Sequence, residues 1–209
     1  MTSKPVLILA SVAVAAAVPT TVAPSAAAAP CSDVAVVFAR GTNEPVGLGT
    51  VGGPFVDDLR GRVAPKTVEG LPVDYPASND FNTSTPAGVE AARALIESTA
   101  ANCPDTKVVL GGYSQGAAVI EFATNEAPPD IAKHVAATAL FGTPRSSFAG
   151  MLAGRSLPTL TPAYAANAID QCSVGDPICW EGGADMGAHV TYALSGKVAQ
   201  AADFVAAKL

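Results

Sequence analysis

The pattern of apolar positions predicts that strands alternate with helices along residues 33–209. Short apolar runs that are rich in β-branched residues are typical of strands buried on both faces of a parallel sheet. The predicted strands are residues 33–40, 68–75, 107–111, 135–141 and 164–169, and the predicted helices are residues 51–63, 85–101, 115–124 and 196–209. This alternation indicates an α/β fold whose sheet is covered by helices on both sides.

Local signals add detail to this pattern. Thr85 is the predicted N-cap of the second helix, with Pro86 in its first turn. Glu121 and Glu126 lie on or just after the third helix, and we expect both to face solvent. Residues 143–163 form the longest stretch without an assigned element, and long ordered loops often line binding sites.

The first thirty residues differ in composition from the rest of the chain. Lys4 is followed by an uncharged apolar run at residues 6–18, and residues 26–29 are all alanine. This order is typical of a secretory signal peptide, and the run is shorter than the roughly 20 residues that cross a bilayer. We expect residues 1–29 to be removed and residues 30–209 to form one secreted domain, extracellular or cell-wall associated. An uncleaved membrane anchor is the alternative.

Composition and charge limit the classes of partner. Apolar residues make up 49% of the chain, which predicts a packed globule rather than a disordered segment. The 18 acidic and 12 basic residues give a net charge of −6. Nucleic acids and anionic lipids require a basic surface, so we expect neither as the main partner, and no stable membrane span. We expect an ester or lipid substrate and a monomeric protein.

Four cysteines follow the predicted signal peptide, at positions 31, 103, 172 and 179. An even count in an exported chain suggests two disulfide bonds, and four cysteines permit three pairings. Cys172 and Cys179 flank a Gly-Asp-Pro turn, so a local bond between them is natural, and this leaves Cys31 with Cys103. A metal site is disfavoured because no Cys-x-x-Cys pair is present. We therefore expect neither a metal nor an organic cofactor.

Residues 112–116, Gly-Tyr-Ser-Gln-Gly, match the G-x-S-x-G pattern of a nucleophile elbow. A predicted strand enters this segment and a predicted helix leaves it, which is the context that the elbow requires. The first amides of such a helix point at negative charge that develops on a bound substrate. We therefore predict that Ser114 is a nucleophile. A plain glycine-rich turn is the alternative.

A serine nucleophile needs a base, and the chain offers His134 and His189. The order of the triad in α/β-hydrolases is serine, acid and then histidine, which favours His189. The acidic residues between Ser114 and His189 are Glu121, Glu126, Asp130, Asp170, Asp176, Glu181 and Asp185. Asp170 is a competitor, but Asp176 is favoured because a Cys172–Cys179 bond would stiffen the loop that orients the imidazole.

Five segments together resemble the cutinase family of serine esterases, particularly its actinobacterial branch. They are residues 38–42 (Phe-Ala-Arg-Gly-Thr), 75–77 (Tyr-Pro-Ala), 111–116 (Gly-Gly-Tyr-Ser-Gln-Gly), 172–179 (Cys-Ser-Val-Gly-Asp-Pro-Ile-Cys) and 188–192 (Ala-His-Val-Thr-Tyr). The resemblance implies a three-layer α/β-hydrolase-type fold with a small five-stranded parallel sheet and no large lid. It also implies a catalytic triad and two disulfide bonds, namely Ser114, Asp176 and His189, with Cys31–Cys103 and Cys172–Cys179.

The same resemblance implies an oxyanion hole at the backbone N–H groups of Thr42 and Gln115. Thr42 stands where cutinases of plant pathogens usually carry serine. The expected activity is hydrolysis of short- to medium-chain acyl esters through an acyl-enzyme. The alternatives are a phospholipase, lipase or acetylxylan esterase on the same triad, or a non-catalytic exported surface protein or antigen. The candidates for an acyl groove are Phe148, Met151, Leu152, Leu157, Trp180 and Met186.

Overall fold

The computed structural model describes residues 2, 30–128 and 130–209, so the predicted signal peptide lies, apart from residue 2, outside the described residues. The strands are β1 (Val34–Ala39), β2 (Val68–Pro72), β3 (Lys107–Tyr113), β4 (Val135–Phe141) and β5 (Ala168–Gln171). The helices are α1 (Gly49–Val63), α2 (Phe81–Asn102), α3 (Gln115–Glu126), α4 (Ser147–Ala153), α5 (Pro162–Ala165), α6 (Met186–Val190) and α7 (Lys197–Ala206), with 3₁₀ helices at Ile131–His134 and Tyr192–Leu194.

The five strands form one parallel sheet in the order β2-β1-β3-β4-β5. Apolar side chains of α1 and α7 pack on one face, and those of α2 and α3 pack on the other. The sheet is therefore the middle of three layers, as predicted. Burial on both faces explains why β1 and β3 are apolar runs without alternation.

The order of the strands places the functional segments together. β1 and β3 are neighbours although β2 and α2 separate them in sequence, and ligands of such sheets bind where the carboxyl ends of the strands meet. Residues 40–42 follow β1, Ser114 follows β3, and the loop with Asp176 follows β5. No helix in the described part of the chain is long and apolar enough to cross a bilayer.

The start of α2 differs from the prediction. The helix begins at Phe81 rather than at Thr85, which makes Pro86 an interior residue. Asp80 precedes the helix, and its backbone oxygen accepts from the Ser84 amide at 2.9 Å. The Thr85 hydroxyl instead accepts a hydrogen bond from Nε2 of Gln115, at 3.1 Å. A contact between distant residues therefore occupies the group that was expected to cap the helix.

The fifth strand is also displaced from the prediction. The structure has β5 at Ala168–Gln171 rather than at residues 164–169, and Tyr164 lies in the short helix α5. Pro162 occupies the first turn of that helix, where its missing N–H costs no hydrogen bond. The predicted long loop at residues 143–163 contains α4, which Ser146 caps by accepting from the Ala149 amide at 3.0 Å.

Candidate active site

Ser114 occupies a sharp turn between β3 and α3. Its φ of 55° is positive, a backbone conformation that costs free energy in a residue with a side chain. The neighbouring glycines allow the turn, because a Cβ on Gly116 would lie 2.0 Å from the Ala39 oxygen. A Cβ on Gly112 would lie 2.5 Å from the Gly116 oxygen. The segment therefore has the geometry of a nucleophile elbow.

The structure brings Ser114, His189 and Asp176 into one hydrogen-bonded series. His189 Nε2 lies 2.9 Å from Ser114 Oγ, and His189 Nδ1 lies 2.8 Å from Asp176 Oδ2. The histidine side chain is 8% exposed, and that of the aspartate is fully buried. Such an arrangement allows the imidazole to take a proton from the hydroxyl while the carboxylate stabilises the resulting cation.

The two competing residues lie elsewhere. His134 ends the 3₁₀ helix before β4. Asp170 lies in β5, where its Oδ1 accepts from the Thr143 hydroxyl at 2.6 Å. Neither residue is among the hydrogen-bond partners of Ser114 and His189 within the described ranges.

Asp176 has three hydrogen-bond donors. Besides His189, the Ile178 amide donates to Oδ1 at 2.8 Å and the Tyr192 hydroxyl donates to Oδ2 at 2.7 Å. Burial by itself would raise the pKa of Asp176, but the donated hydrogen bonds outweigh burial and lower the pKa below 3.8. The carboxylate is therefore held ionised. Tyr192 was not predicted as a partner; its only signal was its place in the Ala-His-Val-Thr-Tyr segment.

A disulfide bond closes the loop around Asp176. Cys172 is bonded to Cys179, and Cys31 is bonded to Cys103 at the amino-terminal side of β1 and β3. The Tyr192 hydroxyl accepts from the Ser173 amide at 3.0 Å, which ties the bonded loop to the 3₁₀ helix that follows His189. The segments that carry Asp176 and His189 are therefore held together by the Cys172–Cys179 bond and this hydrogen bond.

The predicted oxyanion residues lie beside the nucleophile. Thr42 Oγ1 donates to Gln115 Oε1 at 3.0 Å, so the Gln115 side chain joins Thr42 to Thr85. Gln115 is the first residue of α3, where a helix has amide groups without intrahelical partners. Neither the Thr42 amide nor the Gln115 amide donates a hydrogen bond to another of the described residues. Both are therefore free to bind a substrate oxygen.

An apolar groove that is open to solvent includes Ser114 among its lining residues. Of the six predicted groove residues, Leu152 and Leu157 line it, whereas Phe148, Met151, Trp180 and Met186 do not. The lining residues that were not predicted include Phe81, Ala118, Phe122, Ala149, Ala153 and Ile178. Phe81 lies at the start of α2, and Ala118 and Phe122 lie on α3.

Within the described ranges, no group of three or more histidine, cysteine, aspartate or glutamate side chains is arranged to hold a metal ion. The chemistry that the site can carry out with its own residues is nucleophilic attack by a serine, assisted by a histidine base.

Comparison with known proteins decides the family. The family model described as Cutinase matches residues 30–209. The chain belongs to the cutinase family. Carboxylesterase Culp1 of Mycobacterium tuberculosis is 51% identical over 88% of this chain and 85% of its own length. With this relative in its family, the chain is a serine carboxylic ester hydrolase.

Solved structures support the cutinase fold. A Trichoderma reesei cutinase in complex with a phosphonate inhibitor has a TM-score of 0.70 and 34% identity, covering 86% of this chain and 77% of that one. The catalytic core of acetyl xylan esterase from Trichoderma reesei has a TM-score of 0.73 and 25% identity, covering 86% and 100% respectively. The five-stranded α/β-hydrolase-type fold predicted from the sequence is therefore confirmed.

Proposed function

We propose that this cutinase-family protein is a secreted carboxylesterase that hydrolyses short- to medium-chain acyl esters through a covalent acyl-enzyme. The observation that carries the proposal is the hydrogen-bonded series from Ser114 Oγ through both ring nitrogens of His189 to Asp176. The order of these residues along the chain is that of α/β-hydrolases.

In the first half of the reaction, Ser114 Oγ attacks the ester carbonyl carbon while Nε2 of His189 takes the hydroxyl proton. Asp176 keeps Nδ1 protonated and stabilises the imidazolium that forms. The tetrahedral oxyanion is bound by the Thr42 and Gln115 amides, each of which is worth about 3–4 kcal/mol at the transition state. His189 then protonates the leaving alcohol, and the acyl group remains on Ser114.

In the second half, water replaces the alcohol. His189 Nε2 takes a proton from the water molecule as it attacks the acyl carbon, and the same two amides bind the second oxyanion. Collapse releases the carboxylic acid, and Ser114 Oγ regains its proton from His189. Each step uses only the substrate, water, these side chains and the two backbone amides.

The groove supports an acyl substrate. Its wall is largely apolar, and Ser114 is among its lining residues. Because the groove is open to solvent, it also admits bulky or polymeric alcohols. The Ala118 side chain and the partly buried ring of Phe122 give the acyl chain an apolar surface to cover.

The disulfide bonds support export. The domain has two of them, Cys31–Cys103 and Cys172–Cys179, and such bonds persist in oxidising surroundings. We therefore assign the protein to the exterior of the cell or to its wall, in agreement with the apolar run at residues 6–18.

The test is hydrolysis of p-nitrophenyl esters from acetate to palmitate by residues 30–209, with Ser114→Ala as the matched variant. We expect turnover to disappear in the variant while its thermal midpoint stays unchanged, and the optimum to fall at butyrate to octanoate. Turnover that survives in Ser114→Ala contradicts the proposal.

Acetylxylan ester hydrolysis is the second candidate. The fold match to the acetyl xylan esterase core and the open groove mouth favour it. Release of acetate from acetylated xylan, measured beside p-nitrophenyl butyrate, separates the two. Covalent labelling of Ser114 by an alkyl phosphonate tests the non-catalytic alternative, which predicts no labelling.

A further inference from the structure

Glu121 and Arg145 form an ion pair that the sequence did not predict. Glu121 was expected to face solvent, but it is fully buried on α3, about two turns after Ser114. Arg145 Nη1 donates to Oε2 at 2.9 Å, and Nη2 donates to Oε1. This two-point contact fixes the orientation of the guanidinium as well as its position.

The same guanidinium joins both ends of one loop. Nη1 also donates to the Pro144 oxygen at 3.3 Å and to the Pro158 oxygen at 3.2 Å. Nη2 lies 3.3 Å from Asp170 Oδ2, on β5. The Arg145 side chain therefore contacts both ends of the loop at residues 144–158, and its ion pair with Glu121 links that loop to α3. Lysine, a compact point charge, lacks the planar fork that meets these five oxygen atoms of four residues at once.

The loop held in this way forms one wall of the groove. Its lining residues are Pro144, Ala149, Leu152, Ala153, Arg155, Ser156, Leu157. The facing wall includes Ala118 and Phe122 on α3, the helix that carries Glu121. The ion pair thus bridges the two walls and fixes the distance between them.

The burial of the Glu121 carboxylate indicates that its pair with Arg145 serves to position the loop rather than to stabilise the fold. Burial raises the pKa of Glu121, and the hydrogen bonds and charge of Arg145 only partly oppose this. The Arg145 side chain is 33% exposed, and an ion pair with a buried carboxylate often contributes little net stability relative to apolar side chains of similar volume. What this pair contributes is a fixed separation between α3 and the loop.

We propose that Arg145 and Glu121 are positioning residues that set the acyl-chain range of the enzyme by holding the groove wall against α3. This inference rests on the proposed esterase function. Without the pair, the wall moves away from α3, and longer acyl chains lose contact surface while an acetyl group, seated at Ser114, loses little.

The test compares acetate with octanoate esters in a Glu121→Met/Arg145→Met double variant, which removes both charges together. We expect kcat/KM for octanoate relative to acetate to fall about tenfold, mainly through KM. Arg145→Lys should give a partial fall, because lysine keeps the charge without the fork. Arg62→Met/Asp203→Met, which removes an ion pair between α1 and α7, is the matched control and should leave the ratio unchanged.

A second readout does not depend on turnover. Backbone amides of residues 147–157 should exchange with deuterium faster in the double variant and in Arg145→Lys than in the unmodified chain. An equal loss for acetate and octanoate, or an unchanged ratio with unchanged exchange, overturns the proposal. Failure of the proposed function is recognised separately, as absence of Ser114-dependent turnover in the unmodified protein. Amide exchange would then still test whether the Arg145–Glu121 pair holds residues 147–157 in place.

Discussion

Tyr192 donates its hydroxyl hydrogen to Asp176 Oδ2, the same oxygen that lies 2.8 Å from His189 Nδ1. The tyrosine is fully buried, and its oxygen also accepts from the Ser173 amide. The imidazole and the phenol therefore both stabilise the negative charge on this oxygen. Tyr192 holds Asp176 in place in the same way that Asp176 holds the ring of His189.

Replacing Tyr192 by phenylalanine keeps the ring but removes this donor. We expect a loss of about 1.5–3 kcal/mol in the free energy of unfolding at neutral pH, as for a hydrogen bond to a charged group. We also expect kcat/KM to fall by about tenfold, because His189 and Ile178 still hold Asp176. Thermal unfolding and ester hydrolysis measure the two effects. Tyr164→Phe, at a buried tyrosine outside this network, is the control, and an equal loss there would contradict the assignment.

The pH dependence of that stability difference follows from Asp176. The pKa of Asp176 in the folded protein lies below its ordinary value of 3.8, so ionised Asp176 stabilises the fold above that value. This stability is lost as the pH falls through the folded-state pKa. The difference between the unmodified chain and Tyr192→Phe should therefore be constant above about pH 5 and shrink below about pH 4. Urea unfolding across this range measures it, and a difference that grows at low pH would show the opposite sign.

Thr42 offers a test of the side-chain contribution to the oxyanion hole. Thr42→Val keeps the shape and the amide but removes the hydroxyl that donates to Gln115. We expect kcat to fall by roughly threefold to tenfold, in line with a net hydrogen-bond contribution of about 0.5–1.5 kcal/mol. Thr42→Ser should retain most of the activity. Thr99→Val, which removes a hydroxyl on α2 far from the site, should leave kcat unchanged.

Removal of the two disulfide bonds should have different effects on stability and on activity. A bond that closes a long loop restricts the unfolded chain more, so Cys31–Cys103, with a separation of 72, is worth about 4.4 kcal/mol and Cys172–Cys179, with a separation of 7, about 2.5 kcal/mol. Cys172→Ser/Cys179→Ser should nevertheless lose more activity, because Asp176 lies inside its loop. Urea midpoints and kcat/KM of both double variants test this, and the same rank order in both measurements would refute it.

The groove assignment is tested at Phe122. Phe122→Ala removes about 1.4 kcal/mol of apolar contact from an acyl chain, so kcat/KM for octanoate should fall about tenfold relative to acetate. Trp180→Ala, at a half-exposed residue outside the groove, should leave that ratio unchanged. The chain-length profile of both variants decides between this groove and one formed by residues near His189.

Much of the architecture was predictable because it depends on local sequence. β1, β3 and β4 are apolar runs that ended close to the predicted residues, and the elbow at Ser114 is defined by its own neighbours. His189 and Asp176 could be nominated because chain order restricts the choice, and the structure brings both to Ser114. These inferences required no knowledge of distant contacts.

The errors have one common cause, which is contact between residues far apart in sequence. Glu121 was expected in solvent from its place on the helix after Ser114, and its partner Arg145 lies 24 residues away. Thr85 was predicted as a cap because Pro86 follows it, and its partner Gln115 lies 30 residues away. Strand β5 was misplaced because it lies at the edge of the sheet, where only β4 fixes its register.

The proposed catalytic groups follow β1, β3 and β5 or lie in α6, so only a fragment that spans most of the domain contains them all. The contact of Ser114 with His189 and Asp176 requires that β5 is in the sheet and that the segment with His189 is packed beside Tyr113, whose hydroxyl donates to the His189 backbone oxygen at 2.8 Å. During refolding, ester turnover should therefore return only when the roughly forty carboxyl-terminal residues have packed against the rest of the sheet. A lag between the recovery of helical signal and the recovery of turnover would measure the time that this packing takes.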